Sequence, residues 1–128
     1  MRVFKTKPFA RFANREGIED RDLCEAVRRA EAGLIDADLG GGVLKQRIAR
    51  RGQGKSGGFR SIVLYRRTDR AFFVYGFAKN HRANIERDEL GAFRDLAKIM
   101  LGYDSGQIEA ALENELIIEV CCHEKKVP

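Results

Sequence analysis

Several residue types are scarce in this chain and long apolar segments are absent, and some of these absences exclude a class of protein. The 128 residues include no tryptophan, two prolines, two histidines and three cysteines. No run of about eighteen apolar residues is present, so no transmembrane helix is expected. Residues 1–12 lack the apolar stretch and cleavage site of a signal peptide. We therefore expect a cytoplasmic protein with one domain over residues 1–128, whose tail at about 123–128 is frayed.

The few cysteines and histidines argue against a metal centre. An odd number of cysteines favours reduced thiols, and Cys24 falls on the apolar face of a predicted helix, where a small core residue is expected. Cys121, Cys122 and His123 are adjacent, but neighbouring cysteines do not easily reach one tetrahedral zinc ion. We expect no metal and no cofactor.

The positive charge is concentrated in the middle of the chain. Residues 43–85 contain eleven Lys and Arg and one acid, Asp69, which gives +10. The whole chain is +5, so the remaining residues sum to −5. A concentrated positive surface attracts a polyanion, and nucleic acid is the commonest polyanion in a cell.

Apolar periodicity predicts an α+β fold in which a small antiparallel sheet packs against N-terminal helices, with a C-terminal helix. Helices are expected over about 8–13, 19–32 and 85–101, and a capping-box spacing of Asp104 and Gln107 precedes a further apolar helix face. The expected strands are an edge strand at Arg2–Lys5, then Val43–Arg50, Phe59–Arg66, Ala71–Ala78 and Leu116–Val120. Because no helical pattern separates the three central strands, we expect them to form an antiparallel meander.

The loop GQGKSGG contains two misleading motifs. Gly52, Gly54 and Gly57 match the G-x-G-x-x-G spacing of a dinucleotide-binding loop, but that loop needs a following helix, and strand-like residues follow here. The P-loop pattern fails as well, because Ala49 stands where its first glycine is required. The loop is either a plain connection between strands or a flexible segment that lets Lys55 and backbone amides approach a phosphate.

Four cations are predicted to converge on one face of the sheet. Lys45 and Arg47 are two residues apart on one strand and share a face. Arg60 begins the next strand and Lys79 ends the third, so both can approach that face. Each has the alternative role of a solvated surface charge. If the cations converge, repulsion favours a neutral lysine that could act as a general base, and arginines could stabilise a phosphorane.

Aromatic and histidine residues beside these cations have two open interpretations. Tyr75 and Phe77 could stack RNA bases or could belong to the core, whereas Phe72 and Phe73 are expected in the core. His81 could supply an acid or could be a surface residue.

Three segments of this region together resemble toxins of the RelE/ParE superfamily, and most closely the HigB-like branch of bacterial type II toxins. The segments are Lys45-Gln46-Arg47-Ile48-Ala49-Arg50, Gly54-Lys55-Ser56-Gly57-Gly58-Phe59-Arg60 and Phe77-Ala78-Lys79-Asn80. The similarity covers about residues 2–101. It implies a RelE-like fold, and a metal-independent mRNA endonuclease that acts on the ribosome through attack by the 2′-OH on the scissile phosphate. It also implies an antitoxin partner of the helix-turn-helix class.

The resemblance assigns two sets of site residues in this chain. Those assigned to catalysis are Lys55, Arg60 and Lys79, and those assigned to RNA or phosphate binding are Lys45, Arg47, Arg50, Tyr75, Phe77 and His81. Some relatives have a catalytic tyrosine or histidine near the C-terminal end of the fold. No clear equivalent exists here, so the general acid stays unassigned.

Two other functions remain open. One is a ParE-like toxin that inhibits DNA gyrase and cleaves nothing, since one fold can serve both activities. The other is an RNA-binding module that has lost catalysis. The cations at Lys45, Arg47, Lys55 and Arg60 favour RNA cleavage, because a gyrase inhibitor does not need a cluster that stabilises phosphate.

Overall fold

A six-stranded mixed sheet lies at the centre of the structure, a computed structural model that describes residues 1–49 and 58–122. The strands are β1 Arg2–Thr6, β2 Ala37–Asp38, β3 Val43–Ile48, β4 Phe59–Arg66, β5 Arg70–Ala78 and β6 Ile117–Val120. Their spatial order is β2-β3-β4-β5-β1-β6. The helices are α1 Lys7–Glu16, α2 Asp20–Glu31, α3 Arg87–Met100 and α4 Ser105–Glu113. The predicted α+β class is confirmed.

The three central strands form the predicted antiparallel meander, but the prediction for β1 is wrong. Strand β1 is not an edge strand, because it pairs in parallel with β5 on one side and antiparallel with β6 on the other. The physical reason is burial of both its faces, since Val3 is 3% exposed and Phe4 is 1% exposed. A strand that is apolar on both faces is stable inside a sheet, and β6 takes the edge.

Helices α1 and α2 cover one face of the sheet. The Thr6 hydroxyl caps α1 by accepting a hydrogen bond from the Phe9 amide at 3.4 Å. The apolar side of α1 then places Phe12 against β5 at Gly76, where a Cβ atom would lie 2.4 Å from Cε2 of Phe12. The small residue on β5 therefore lets α1 lie close to the sheet, directly behind the face described below.

Helices α3 and α4 cover part of the opposite face. Their side chains Met100 and Ile108 pack with Ile62 and Phe72 of the sheet in a second apolar cluster. Both helices begin with capping boxes, of which the sequence predicted the pair Asp104 and Gln107 of α4 but not the pair Glu86 and Glu89 of α3. Within residues 1–49 and 58–122, every helix is too short or too polar to span a lipid bilayer.

The expectation of reduced thiols is wrong for two of the three cysteines. Cys24 of α2 and Cys122, just after β6, form a disulfide across 98 positions of sequence, and Cys121 is a free, exposed thiol. The bond forms because β6 pairs with β1 and so ends beside α2, a proximity that no sequence spacing indicates. Cys24 is 3% exposed, which confirms its place in the core.

Candidate functional site: a basic sheet face

The end of the sheet that carries the predicted cations presents two rows of side chains on one face. The first row runs across the sheet from Lys45 on β3 through Ile62 on β4 to Tyr75 on β5. The second row runs in the same way through Arg47, Arg60 and Phe77. We call the five residues Lys45, Arg47, Arg60, Tyr75 and Phe77 the basic face. The structure therefore brings together five of the nine residues predicted for the site.

The arginine pair is the electrostatic centre of the basic face. Arg47 and Arg60 are directly opposite each other on antiparallel strands. Nε of Arg47 and Nη1 of Arg60 are both buried, and neither has a hydrogen-bond partner among the residues that the structure describes. Buried N–H groups on two adjacent cations are costly unless an acceptor completes them. Phosphate oxygens are acceptors that guanidinium N–H groups bind strongly.

A glycine makes room for this pair. At Gly58, a Cβ atom would lie 2.7 Å from the carbonyl oxygen of Ile48 and 3.2 Å from Nε of Arg47. The absence of a side chain lets the chain enter β4 tightly against the end of β3. Gly58 therefore leaves room for Nε of Arg47 next to the start of β4.

Arg82 lies over the basic face, and the sequence analysis did not assign it to the site. Its guanidinium lies over the rings of Tyr75 and Phe77, 5.7 and 5.6 Å from their centroids. Nη1 of Arg82 donates to the Tyr75 hydroxyl at 2.8 Å, and a bidentate pair with Glu89 of α3 has distances of 2.5 and 3.1 Å. The only sequence signal was its charge, because the contacts depend on how the segment after β5 folds back over the sheet.

The same segment reaches the other side of the face through Asn84. The backbone carbonyl of Asn84 accepts a hydrogen bond from Nε of Arg82 at 3.0 Å. Its side-chain oxygen accepts from Nζ of Lys45 at 3.4 Å. Asn84 therefore links the cation of β3 to the guanidinium above β5.

One protein family matches the chain almost completely. Its sequence model, described as the RelE toxin of the RelE / RelB toxin–antitoxin system, matches residues 1–120. The chain belongs to this RelE toxin family. It is therefore the toxin component of a toxin–antitoxin system, and the family implies an antitoxin as its partner. No curated protein sequence matches this RelE toxin.

The charge network of the RelE toxin shifts two ionisation equilibria. Side-chain hydrogen bonds from Arg82, and then the backbone N–H of Glu86, lower the pKa of Glu89 below its ordinary value. The hydrogen bonds to Glu89 and then to Tyr75 raise the pKa of Arg82. Both shifts favour the charged pair, so Glu89 is a carboxylate at neutral pH and holds Arg82 in place.

Two of the other predicted residues of the toxin, Lys79 and His81, form no hydrogen bond or ion pair with this network among the residues that the structure describes. Lys79 and His81 are exposed in the turn that follows β5, where the His81 amide donates to the Ala78 carbonyl at 3.0 Å. Phe77 is 4% exposed and lies under Arg82, so its ring forms the floor of the face. Arg50 and Lys55 lie outside the described residues.

Proposed function

We propose that this RelE toxin is a ribosome-dependent mRNA endonuclease that inhibits translation. The observation that carries the proposal is the pair of buried N–H groups on Arg47 and Arg60, which have no hydrogen-bond partner among residues 1–49 and 58–122. Two guanidinium groups side by side suit the extra negative charge of a pentacoordinate phosphorane. The mRNA cleavage for which the RelE family is known supports the same reaction.

The proposed reaction needs a base, cations and an acid. Lys45, in the row beside the arginine pair, is the candidate base that takes the proton from the 2′-OH. Arg47 and Arg60 stabilise the phosphorane that forms when the 2′-oxygen attacks the adjacent phosphorus. Lys55 and Lys79 stay predictions as further catalytic residues, as does the antitoxin's helix-turn-helix class.

The test compares two double variants in growing bacteria. Arg47→Ala with Arg60→Ala removes the arginine pair, and Arg11→Ala with Arg67→Ala removes the same charge from exposed positions outside the basic face. We expect wild type and the second variant to arrest growth and to create new mRNA 5′ ends in translated frames. The first variant should do neither, since loss of one such donor costs about 10²–10³-fold in rate.

Three other outcomes would contradict the proposal. Growth arrest with intact mRNA and DNA damage would indicate a gyrase inhibitor. Soluble wild-type protein that causes no arrest would indicate an RNA-binding module without catalysis. Equal mRNA cleavage by all three proteins would show that the arginine pair does not act in the reaction.

A further inference from the structure

We propose that the Tyr75 hydroxyl donates the proton to the leaving 5′-oxygen, and that Arg82 and Glu89 act as positioning residues for it. This inference rests on the proposed endonuclease function and supplies the acid that the sequence left unassigned.

The position of Tyr75 is opposite to that of the candidate base. Lys45 and Tyr75 occupy the two ends of one row, with Ile62 of β4 between them. Neighbouring strands are about 4.8 Å apart, so the two Cα atoms are separated by about 10 Å. In an in-line displacement the attacking and leaving oxygens lie on opposite sides of the phosphorus. A phosphate that the arginine pair holds beside this row would have the candidate base at one end of the row and Tyr75 at the other.

The hydroxyl of Tyr75 is arranged to donate. Nη1 of Arg82 donates to the hydroxyl oxygen at 2.8 Å, and a guanidinium cannot accept a hydrogen bond in return. The hydroxyl hydrogen must therefore point elsewhere. Among the described residues no hydrogen bond from this hydroxyl is formed, which leaves the hydrogen free for a substrate oxygen.

Arg82 is itself too fully engaged to bind a phosphate with its fork. Nε donates to the Asn84 carbonyl, Nη1 donates to Tyr75 and Glu89, and Nη2 donates to Glu89. These bonds use four of the roughly five N–H groups of an arginine. Arg82 therefore acts by fixing the Tyr75 hydroxyl and not by binding the phosphate itself.

Two further contacts keep the Tyr75 ring from turning. The ring lies between Phe77 of β5 and Phe93 of α3, with centroid distances of 5.8 and 5.9 Å. Glu89 is held in turn by the Glu86 amide, which donates to Oε1 at 2.7 Å. Helix α3 therefore holds the tyrosine in two ways: Phe93 contacts its ring, and Glu89 pairs with the guanidinium that donates to its hydroxyl.

The proton balance of the step is complete with water as the further reactant. The 2′-oxygen forms a bond to phosphorus while its proton passes to the base. The bond from phosphorus to the 5′-oxygen breaks, and the Tyr75 hydroxyl gives its proton to that oxygen. The products are a 2′,3′-cyclic phosphate and a 5′-hydroxyl, and water returns a proton to the phenolate.

The experiment measures single-turnover cleavage of ribosome-bound mRNA at saturating toxin. Tyr75→Phe keeps the ring and removes the hydroxyl, and Tyr103→Phe makes the same change in the turn between α3 and α4. We expect Tyr75→Phe to slow cleavage by about 10²–10⁴-fold, as for loss of a general acid, with unchanged affinity for the ribosome. Tyr103→Phe should cleave at the wild-type rate. Glu89→Gln should show a smaller loss than Tyr75→Phe.

A second substrate separates proton donation from a structural role. It carries sulfur in place of the 5′-oxygen at the scissile bond, and a thiolate leaves without an acid. We expect Tyr75→Phe and Glu89→Gln to cleave this substrate at the wild-type rate, which also shows that both variants are folded.

The outcomes distinguish the two proposals. If wild type cleaves the oxygen substrate and Tyr75→Phe cleaves it equally fast, only the role of Tyr75 is overturned. A defect of Tyr75→Phe that persists on the sulfur substrate also overturns proton donation. If wild type cleaves neither substrate, both the endonuclease function and the role of Tyr75 are overturned.

Discussion

Removal of the disulfide is predicted to lower the stability of the toxin substantially. The bond closes a loop of 98 positions between Cys24 and Cys122. A cross-link across such a loop restricts the unfolded chain and stabilises the native state by about 4.7 kcal/mol at 25 °C. For the 128 residues, an unfolding entropy of about 2.1 cal/mol/K per residue converts this to a fall in Tm of about 17 °C.

The assay compares Cys121→Ser with Cys121→Ser plus Cys122→Ser by thermal unfolding. The shared substitution prevents Cys121 from replacing Cys122 in the bond, and the buried Cys24 is left as a small apolar residue. A reductant should lower the Tm of the single variant and leave that of the double variant unchanged. A difference in Tm below about 4 °C, or three titratable thiols in denatured wild type without reductant, would refute the reasoning.

Three further predictions follow from single positions. Gly76→Ala should lower the free energy of unfolding by about 1–3 kcal/mol in urea titrations, because its Cβ would lie 2.4 Å from Cε2 of Phe12. An unchanged midpoint would contradict the close packing of α1. Gln46→Leu should cost about 2 kcal/mol in the same assay, because it removes the hydrogen bonds of this buried amide to three backbone groups. For Asp69→Asn, hydrogen bonds from Arg66 lower the pKa of the wild-type carboxyl below its usual 3.8. The wild type should therefore be more stable than Asp69→Asn by its full margin above pH 3.8, and this margin should disappear as the pH falls through the lowered pKa. A margin that does not change with pH would contradict the prediction.

Helix positions were predictable from sequence because their signals are local. Apolar residues at helical spacing and capping pairs such as Asp104 with Gln107 act within a few residues of chain, and the structure confirms both. Leu34 shows the limit of this reasoning. It continues the periodicity of α2, but the helix ends at Glu31 and Leu34 is 63% exposed.

The cations of the basic face were also predictable, because alternation along a strand decides which side chains share a face. Lys45 and Arg47 lie on one side of β3, and antiparallel pairing places Arg60 opposite Arg47. The network of Arg82, Glu89 and Tyr75 was not predictable. Its members lie on a turn, a helix and a strand, and nothing in their spacing indicates contact.

The sequence by itself determined the helices, the central meander and the concentration of positive charge on it. Each of these depends on neighbouring residues and on strand alternation. Only the tertiary structure decided that β1 pairs in parallel with β5, that Cys24 meets Cys122, and that α3 places Glu89 over the basic face. These contacts join residues far apart in the chain or on different elements, and they follow from packing two helical layers on one sheet.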